Sequence, residues 1–146
     1  MSVQEHKQES PKIVHCKVIT VSDTRNIDTD KSGKYIKDTL IEHGHVVVEY
    51  EIVKDEQNDI QHAIRKGIQS EQIDAILLNG GTGIADRDVT IETVKALITK
   101  EIVGFGELFR MLSYTEDIGP AAMLSRAIAG VSEHTAIFAM LDQVVL

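Results

Sequence analysis

Three short runs of aliphatic and β-branched residues alternate with three segments of helical periodicity, and this alternation limits the fold more than any other feature. The strand-like runs are Ile13–Val21, Val46–Val53 and Ala75–Leu78. Apolar residues spaced three and four apart follow each run, which is typical of amphipathic helices. Strands that alternate with helices form parallel sheets with helices on both faces. The sequence therefore predicts an α/β protein with a three-layer α/β/α architecture and a mostly parallel central sheet.

The predicted helices and the last third of the chain are defined by their apolar positions. The first helix starts at Lys34 and has a stripe of Tyr35, Ile36, Leu40 and Ile41. The second has Ile60, Ala63, Ile64 and Ile68, and the third starts near Thr90 with Ile91, Val94, Leu97 and Ile98. A fourth helical stripe has Phe105, Leu108, Phe109 and Leu112, and strands are predicted at Ala127–Val131 and Thr135–Met140.

Length and charge limit the domain organisation and the partners. The 146 residues suffice for one domain at 13–146, preceded by a polar arm at 1–12. A formal net charge of −8 argues against nucleic acid and membrane surfaces as partners. Backbone amides bind phosphate whatever the net charge, so a phosphorylated ligand stays open. The single cysteine and the polar start without a hydrophobic segment indicate a cytoplasmic protein.

Loops after the predicted strands are the expected place for a ligand. In open parallel sheets, ligands bind where the carboxyl ends of the strands lead into loops. Three loops fall there: the one after Val21, the turn around Asp55, and the glycine loop that starts at Gly80. These loops come from distant parts of the chain, and the fold should bring them to one edge of the sheet.

The glycine loop Gly80–Gly83 suits a backbone that passes close to a phosphate, or alternatively a tight connection from strand to helix. Asp86 and Asp88 follow it with Arg87 between them, an arrangement that can serve a magnesium–nucleotide site. The alternative for each aspartate is capping of the next helix. Asp55 is a further candidate for a metal or phosphate site, or else an ordinary turn residue.

Two pairs of arginine and serine are candidates for holding an anion. Arg110 and Ser113 lie three residues apart on a flank of the fourth helical stripe, and Ser125 precedes Arg126. Guanidinium groups form strong paired hydrogen bonds with phosphate and carboxylate. The alternative interpretation is that both arginines are solvated surface residues.

Several motifs together resemble the MoaB/Mog family of molybdenum cofactor biosynthesis. They are Val21–Arg25, Asp30–Gly33, Gly80–Gly83 with Arg87–Thr90, Gly104–Arg110 and Leu124–Ala127. The similarity runs in order from about Ile13 to Met140. The stretches Phe109–Tyr114 and Ile137–Met140 are more similar to the MoaB branch than to the Mog branch.

The resemblance implies a three-layer fold, a homotrimer or a dimer of trimers, and binding of molybdopterin. In active family members, AMP is transferred from ATP with Mg²⁺ to the terminal phosphate of molybdopterin. The two functional aspartates of the family correspond to Asp55 and Asp88, which would also hold the Mg²⁺. Thr82 and the glycines of the loop would hold phosphate or pterin. The polar pocket residues of the family match Ser22, Arg110, Ser113 and Ser125.

The end of the sequence departs from the family pattern. Family members read Pro-Gly-Ser after a stretch like Ile137–Met140 and continue through another helix, whereas this chain reads Leu141–Leu146. The codons CTG GAT CAA GTG GTG CTN specify Leu141–Leu146. Read with one extra C before them, they would encode Pro-Gly-Ser-Ser-Gly-Ala. We therefore expect a single-base frameshift that truncates the domain and removes a pocket loop and a covering helix.

Two functions of different classes follow from these observations. The first is an enzyme that adenylylates molybdopterin, which the presence of Asp55 and Asp88 favours. The second is a non-catalytic molybdopterin-binding or assembly subunit, which the MoaB-like motifs and the altered C terminus favour. A generic nucleotide-binding module applies if the resemblance is misleading.

Overall fold

A computed structural model describes residues 13–82, 84–86, 88–105 and 126–140, which form three helices and one six-stranded sheet. In chain order the elements are β1 (His15–Val21), α1 (Lys31–Glu42), β2 (Val46–Val53), α2 (Gln57–Gln69), β3 (Ala75–Asn79), α3 (Thr90–Leu97), β4 (Lys100–Glu101), β5 (Ile128–Ser132) and β6 (Thr135–Met140). The strand order is β2-β1-β3-β6-β5-β4. Four neighbouring strands, β2, β1, β3 and β6, are parallel, and β5 runs antiparallel to β6 and β4.

Helices cover both faces of the sheet. Thr20 of β1 lies against α1, where a Cβ added to Gly33 would be 2.5 Å from Thr20 Oγ1. Lys17 and Ile76 lie against α2, where a Cβ added to Gly67 would be 2.6 Å from Ile76 Cδ1 and 3.3 Å from Lys17 Cδ. Because successive residues of a strand point to opposite faces, α1 and α2 lie on opposite sides of the sheet. The predicted α/β/α layering is confirmed.

The main core lies between the sheet and the helices α2 and α3. All four predicted apolar positions of α2 are buried, as are Ile91 and Val94 of α3. Leu97 and Ile98 are partly buried against the same cluster. Strand residues complete the cluster, among them Ile19, Ile76, Leu78 and Ile137. The helical periodicity of these two segments therefore identified the buried faces correctly.

Helix α1 starts earlier than its apolar pattern predicts. It begins at Lys31 rather than Lys34, because Asp30 caps it and Asp30 Oδ1 accepts a 3.0 Å hydrogen bond from the N–H of Gly33. The polar sequence before Lys34 therefore contributes the first turn of the helix.

The predicted apolar stripe of α1 is only partly correct. Ile36 and Leu40 are half-buried, but Tyr35 and Ile41 are exposed. The buried residues of this helix are instead Ser32 and Gly33. The first turn approaches β1 so closely that only a residue without a side chain fits at Gly33, and apolar periodicity does not detect this kind of contact.

The two predicted C-terminal strands form the β5–β6 hairpin. Strand β6 has the predicted bounds, whereas β5 is shifted by one residue from the predicted Ala127–Val131. The short strand β4 was not predicted, since two residues carry no periodicity. In the part of the chain that the structure describes, no helix has the length and apolar character needed to cross a membrane.

Several sequence-based expectations concern residues outside the described ranges. These are the polar arm at 1–12, the stripe beyond Phe105, the end at Leu141–Leu146, and the candidate ligand-binding residues Gly83, Arg110, Ser113 and Ser125.

Candidate ligand-binding site at the carboxyl edge of the sheet

Two hydrogen bonds join the loops that follow β1 and β2. The N–H of Ser22 donates to the carbonyl oxygen of Val53 at 2.9 Å, which extends the parallel ladder beyond Val21. The N–H of Asp55 then donates to Oδ1 of Asp23 at 3.0 Å. The fold therefore brings Ser22 and Asp55, two of the predicted site residues, to the same edge of the sheet.

The loop after β3 lies against the end of β1. Gly80 has φ of 98° and Gly81 has φ of 65°, in the left-handed region that favours glycine. A Cβ on Gly80 would overlap the carbonyl oxygen of Val21. Glycine at position 80 is therefore required by both the backbone conformation and the close approach to β1.

Hydrogen bonds from Thr90 and Arg126 hold the glycine loop in place. The hydroxyl of Thr90 donates to the carbonyl oxygen of Gly80 at 2.8 Å. The backbone N–H of Thr90 donates to the carbonyl oxygen of Gly81 at 3.1 Å. The N–H of Arg126 donates to the carbonyl oxygen of Thr82 at 3.0 Å, and Thr82 is buried. All three carbonyl oxygens accept hydrogen bonds from the protein, so the path of the loop is set before any ligand binds.

The carboxylate of Asp55 meets this loop directly. Asp55 is half-buried, and a Cβ added to Gly81 would lie 3.1 Å from Asp55 Oδ1. The turn that carries Asp55 is closed by a 2.8 Å hydrogen bond from the N–H of Glu56 to the carbonyl oxygen of Lys54. A carboxylate from the β2 loop therefore lies beside the glycines of the β3 loop.

Asp88 takes part in a turn before α3. Its Oδ2 accepts a 3.0 Å hydrogen bond from the N–H of Ala85, and its own N–H donates to the carbonyl oxygen of Ala85 at 2.9 Å. Asp88 also lines a cavity of about 290 Å³, together with Asp86, Glu92 and Arg126. The carboxylate thus shapes its own turn and borders this cavity.

Arg126 connects three parts of this region. Its guanidinium forms a paired interaction with Glu92, Nη1 with Oε2 and Nη2 with Oε1, and Nη2 also donates to the carbonyl oxygen of Asp88 at 3.0 Å. The hydrogen bonds from Arg126 lower the pKa of Glu92 below its ordinary value. The sequence left Arg126 as either an anion-binding or a solvated surface residue. In the structure its guanidinium binds Glu92 and the carbonyl oxygen of Asp88 at the start of α3.

Ser22 shapes the loop after β1. Its Oγ accepts hydrogen bonds from the N–H groups of Thr24 and Arg25, at 3.2 and 3.1 Å. The guanidinium of Arg25 then donates to Ser32 Oγ at 3.0 Å. Ser22 Oγ also lies 3.5 Å from Thr24 Oγ1, so its hydroxyl takes part in the hydrogen bonds of its own loop.

A buried polar pair fixes the far end of the same loop. Asp30 is fully buried, and the hydroxyl of Tyr50 on β2 donates to Asp30 Oδ2. Burial and the contact with Asp30 raise the pKa of the Tyr50 hydroxyl well above its usual range. The loop between β1 and α1 is therefore attached to β2 at both of its ends.

Asp23 contacts the candidate site, although no sequence pattern singled it out as a candidate. Asp23 is the second residue after β1, just as Asp55 is the second residue after β2. The rule that selected Asp55, a carboxylate at the carboxyl end of a parallel strand, applies equally to Asp23.

Carboxylate oxygens at this edge are of the kind that Mg²⁺ binds. Among the described residues, no three or more His, Cys, Asp or Glu side chains are grouped as a metal site. Mg²⁺ is usually held by one or two carboxylates and completes its octahedron with phosphate oxygens and water. The Asp55 carboxylate, which lies beside the glycine loop, is a donor of that kind.

These features define a class of protein. The protein is an open α/β/α protein whose candidate ligand site lies at the carboxyl edge of a mostly parallel sheet, built from three loops.

Comparison with known proteins identifies the family within that class. Residues 17–142 match the family described as "Probable molybdopterin binding domain". The chain is 66% identical to molybdenum cofactor biosynthesis protein B of Bacillus subtilis over 138 residues, 94% of this chain and 81% of the relative. The chain belongs to the molybdopterin-binding domain family, as a MoaB-type molybdenum cofactor biosynthesis protein, which confirms the resemblance found in the sequence.

Solved structures agree with this assignment. A crystal structure of molybdenum cofactor biosynthesis protein B has a TM-score of 0.88 at 56% identity, covering 92% of this chain and 84% of that one. The tungsten cofactor synthesizing protein MoaB from Pyrococcus furiosus has a TM-score of 0.80 at 38% identity, covering 92% and 85%.

Proposed function

We propose that this protein binds molybdopterin at the carboxyl edge of its sheet and adenylylates it with ATP and Mg²⁺. An oxygen of the terminal phosphate of molybdopterin attacks the α-phosphorus of ATP, the bond to the β-phosphate breaks, and pyrophosphate leaves. The observation that carries this proposal is the position of the Asp55 carboxylate beside the glycine loop at Gly81. A related solved structure, 34% identical to this chain, is described as the molybdopterin biosynthesis enzyme MoaB of Thermus thermophilus, which also supports enzymatic activity.

Charge explains why the two aspartates matter. Triphosphate and phosphorylated pterin are both anionic, and a chain with net charge −8 does not attract them through its overall charge. Mg²⁺ held by Asp55 and Asp88 would neutralise the phosphates and align them. Transfer of this kind depends mainly on positioning and charge neutralisation rather than on covalent catalysis.

The other predicted site residues have binding roles in this proposal. Gly80, Gly81 and Thr82, continued by Gly83, would hold phosphate through backbone amides. Ser22, Arg110, Ser113 and Ser125 would contact the pterin and its phosphate. The protein would act in the cytoplasm as a homotrimer or a dimer of trimers.

An assay of AMP transfer from MgATP to molybdopterin tests the proposal. Asp55→Asn and Asp88→Asn each remove a charge, and the asparagine at 88 can still accept the hydrogen bond from Ala85. We expect kcat to fall by about 100-fold or more in both variants, while molybdopterin affinity changes by less than about threefold. Asp28→Asn, at an exposed carboxylate of the β1–α1 loop, is the matched control. Near wild-type turnover in either site variant would show that its aspartate is not part of the reaction.

A second candidate function is a molybdopterin-binding subunit without catalysis. One observation favours it: the Asp88 carboxylate already accepts a hydrogen bond from Ala85, which is the role of a turn residue. Tight binding of molybdopterin with no AMP transfer in the wild-type protein would select this function over the enzyme.

A further inference from the structure

Asp23 forms a hydrogen bond between two loops, and the proposed reaction assigns no role to this bond. Its Oδ1 accepts the hydrogen bond from the N–H of Asp55 at 3.0 Å, across 32 positions of sequence. Asp23 is exposed, so packing in the interior does not determine which residue stands at this position. The contact instead links the loop after β1 to the residue that meets the glycine loop.

The structure fixes Asp23 from both sides. On one side, Ser22 is paired with Val53 through the extended β1–β2 ladder. On the other side, Ser22 Oγ accepts the N–H groups of Thr24 and Arg25, which folds the loop back over Asp23. The acceptor that Asp23 offers to Asp55 is therefore held in place before a ligand binds.

Asp23 attaches the turn that carries Asp55 to a neighbouring strand. The hydrogen bond from Glu56 to Lys54 closes the turn but attaches it to no other strand. The bond from Asp55 to Asp23 ties the turn to β1, against which the glycine loop also packs through Gly80. Asp55 and the glycine loop thus share β1 as a common support.

We propose that Asp23 is a positioning residue that holds the Asp55 carboxylate against the glycine loop by accepting the backbone N–H of Asp55. The proposal rests on the proposed function, in which Asp55 orients Mg²⁺ and phosphate. Asp23 acts as a hydrogen-bond acceptor, and its negative charge is not needed for this role. The two properties are separable, because asparagine keeps a side-chain oxygen at the same place and loses the charge.

The experiment compares Asp23→Asn with Asp23→Ala in the AMP-transfer assay, with Asp28→Ala as the control for loss of a carboxylate from the same loop. A misplacement of about 1 Å costs about 100-fold in rate, so we expect Asp23→Ala to lower kcat by about 10- to 100-fold. The KM for molybdopterin should change by less than about threefold. Asp23→Asn should keep kcat within about threefold of wild type.

Equal losses in the asparagine and alanine variants would overturn the proposal, since the charge would then be the important property. Wild-type kcat in the alanine variant would overturn it as well.

A second measurement does not depend on turnover. Hydrogen exchange of the Asp55 amide, followed by NMR, should be about tenfold faster in Asp23→Ala than in wild type, and close to wild type in Asp23→Asn. Equal exchange in all three proteins would overturn the positioning role. Faster exchange in the alanine variant, in a protein that binds molybdopterin but transfers no AMP, would overturn the proposed enzyme and uphold the link between Asp23 and Asp55.

Discussion

Lys17 Nζ donates a 2.8 Å hydrogen bond to the backbone carbonyl oxygen of Ala63, in the interior between β1 and α2. The side chain of Lys17 is fully buried. Glu49 and Glu51 on the neighbouring strand lie 3.5 and 3.2 Å from the same ammonium group. A buried cation is tolerated when it is paired and hydrogen-bonded, and these three partners meet that requirement. The pairing also favours one register of β1 against β2.

Replacement of Lys17 should lower the stability of the fold, because its ammonium group has three partners in the interior. Lys17→Ala would leave a cavity and two carboxylates without their cation, and we expect a loss of about 3 kcal/mol in the free energy of unfolding. Lys17→Met keeps the aliphatic stem and should cost about 1 kcal/mol. Denaturant unfolding measures both, with Lys34→Ala on the exposed side of α1 expected within about 0.5 kcal/mol of wild type. A loss below 1 kcal/mol in Lys17→Ala would contradict the stabilising role.

A comparison of Gly44 with Gly80 separates the cost of backbone strain from the cost of steric overlap. Gly44 and Gly80 both have positive φ, but a Cβ on Gly44 would meet no atom within 4 Å, whereas one on Gly80 would overlap the carbonyl oxygen of Val21. Gly44→Ala should cost about 1 kcal/mol, from backbone strain alone. Gly80→Ala should cost about 3 kcal/mol or more and should weaken molybdopterin binding. Thermal unfolding compares the two, and equal losses would show that the approach to β1 is not tight.

The ion pair between Glu92 and Arg126 should appear in the pH dependence of stability. Because folding lowers the pKa of Glu92 below its ordinary value of 4.5, the pair stabilises the fold above that pH. This stability is lost as pH falls through the lower folded-state pKa.

Glu92 is 56% exposed, so solvent screening limits its contribution to about 0.5 kcal/mol. Glu92→Gln should therefore be less stable than wild type at pH 7, and the difference should shrink as the pH falls below 4.5. Urea unfolding at several pH values checks this, with Glu101→Gln as an exposed control. A difference that grows as the pH falls would contradict the assignment.

The proposed assembly predicts a particular mass in solution. Light scattering at micromolar concentration should give three times the chain mass of 16.1 kDa, or six times for a dimer of trimers. The mass of a single chain under these conditions would contradict the trimer.

Local periodicity was sufficient to define several elements. The bounds of β2 were predicted without error, and the buried face of α2 follows from apolar residues spaced three and four apart. The rule for carboxyl ends of parallel strands also identified Asp55 and the glycine loop as neighbours in the site. The same periodicity misjudged α1, where a glycine approach to β1 replaces an apolar stripe.

The sequence by itself determined the layered α/β fold and the edge of the sheet at which the candidate ligand site lies, because short-range spacing controls which residues face the core. Only the tertiary structure decided three hydrogen bonds. They join Asp23 to Asp55, Arg126 to Asp88 at the start of α3, and the buried Lys17 to Ala63. Each of these contacts joins residues more than thirty positions apart. Their geometry is set by how strands and helices pack, and no local pattern of hydrophobicity records that packing.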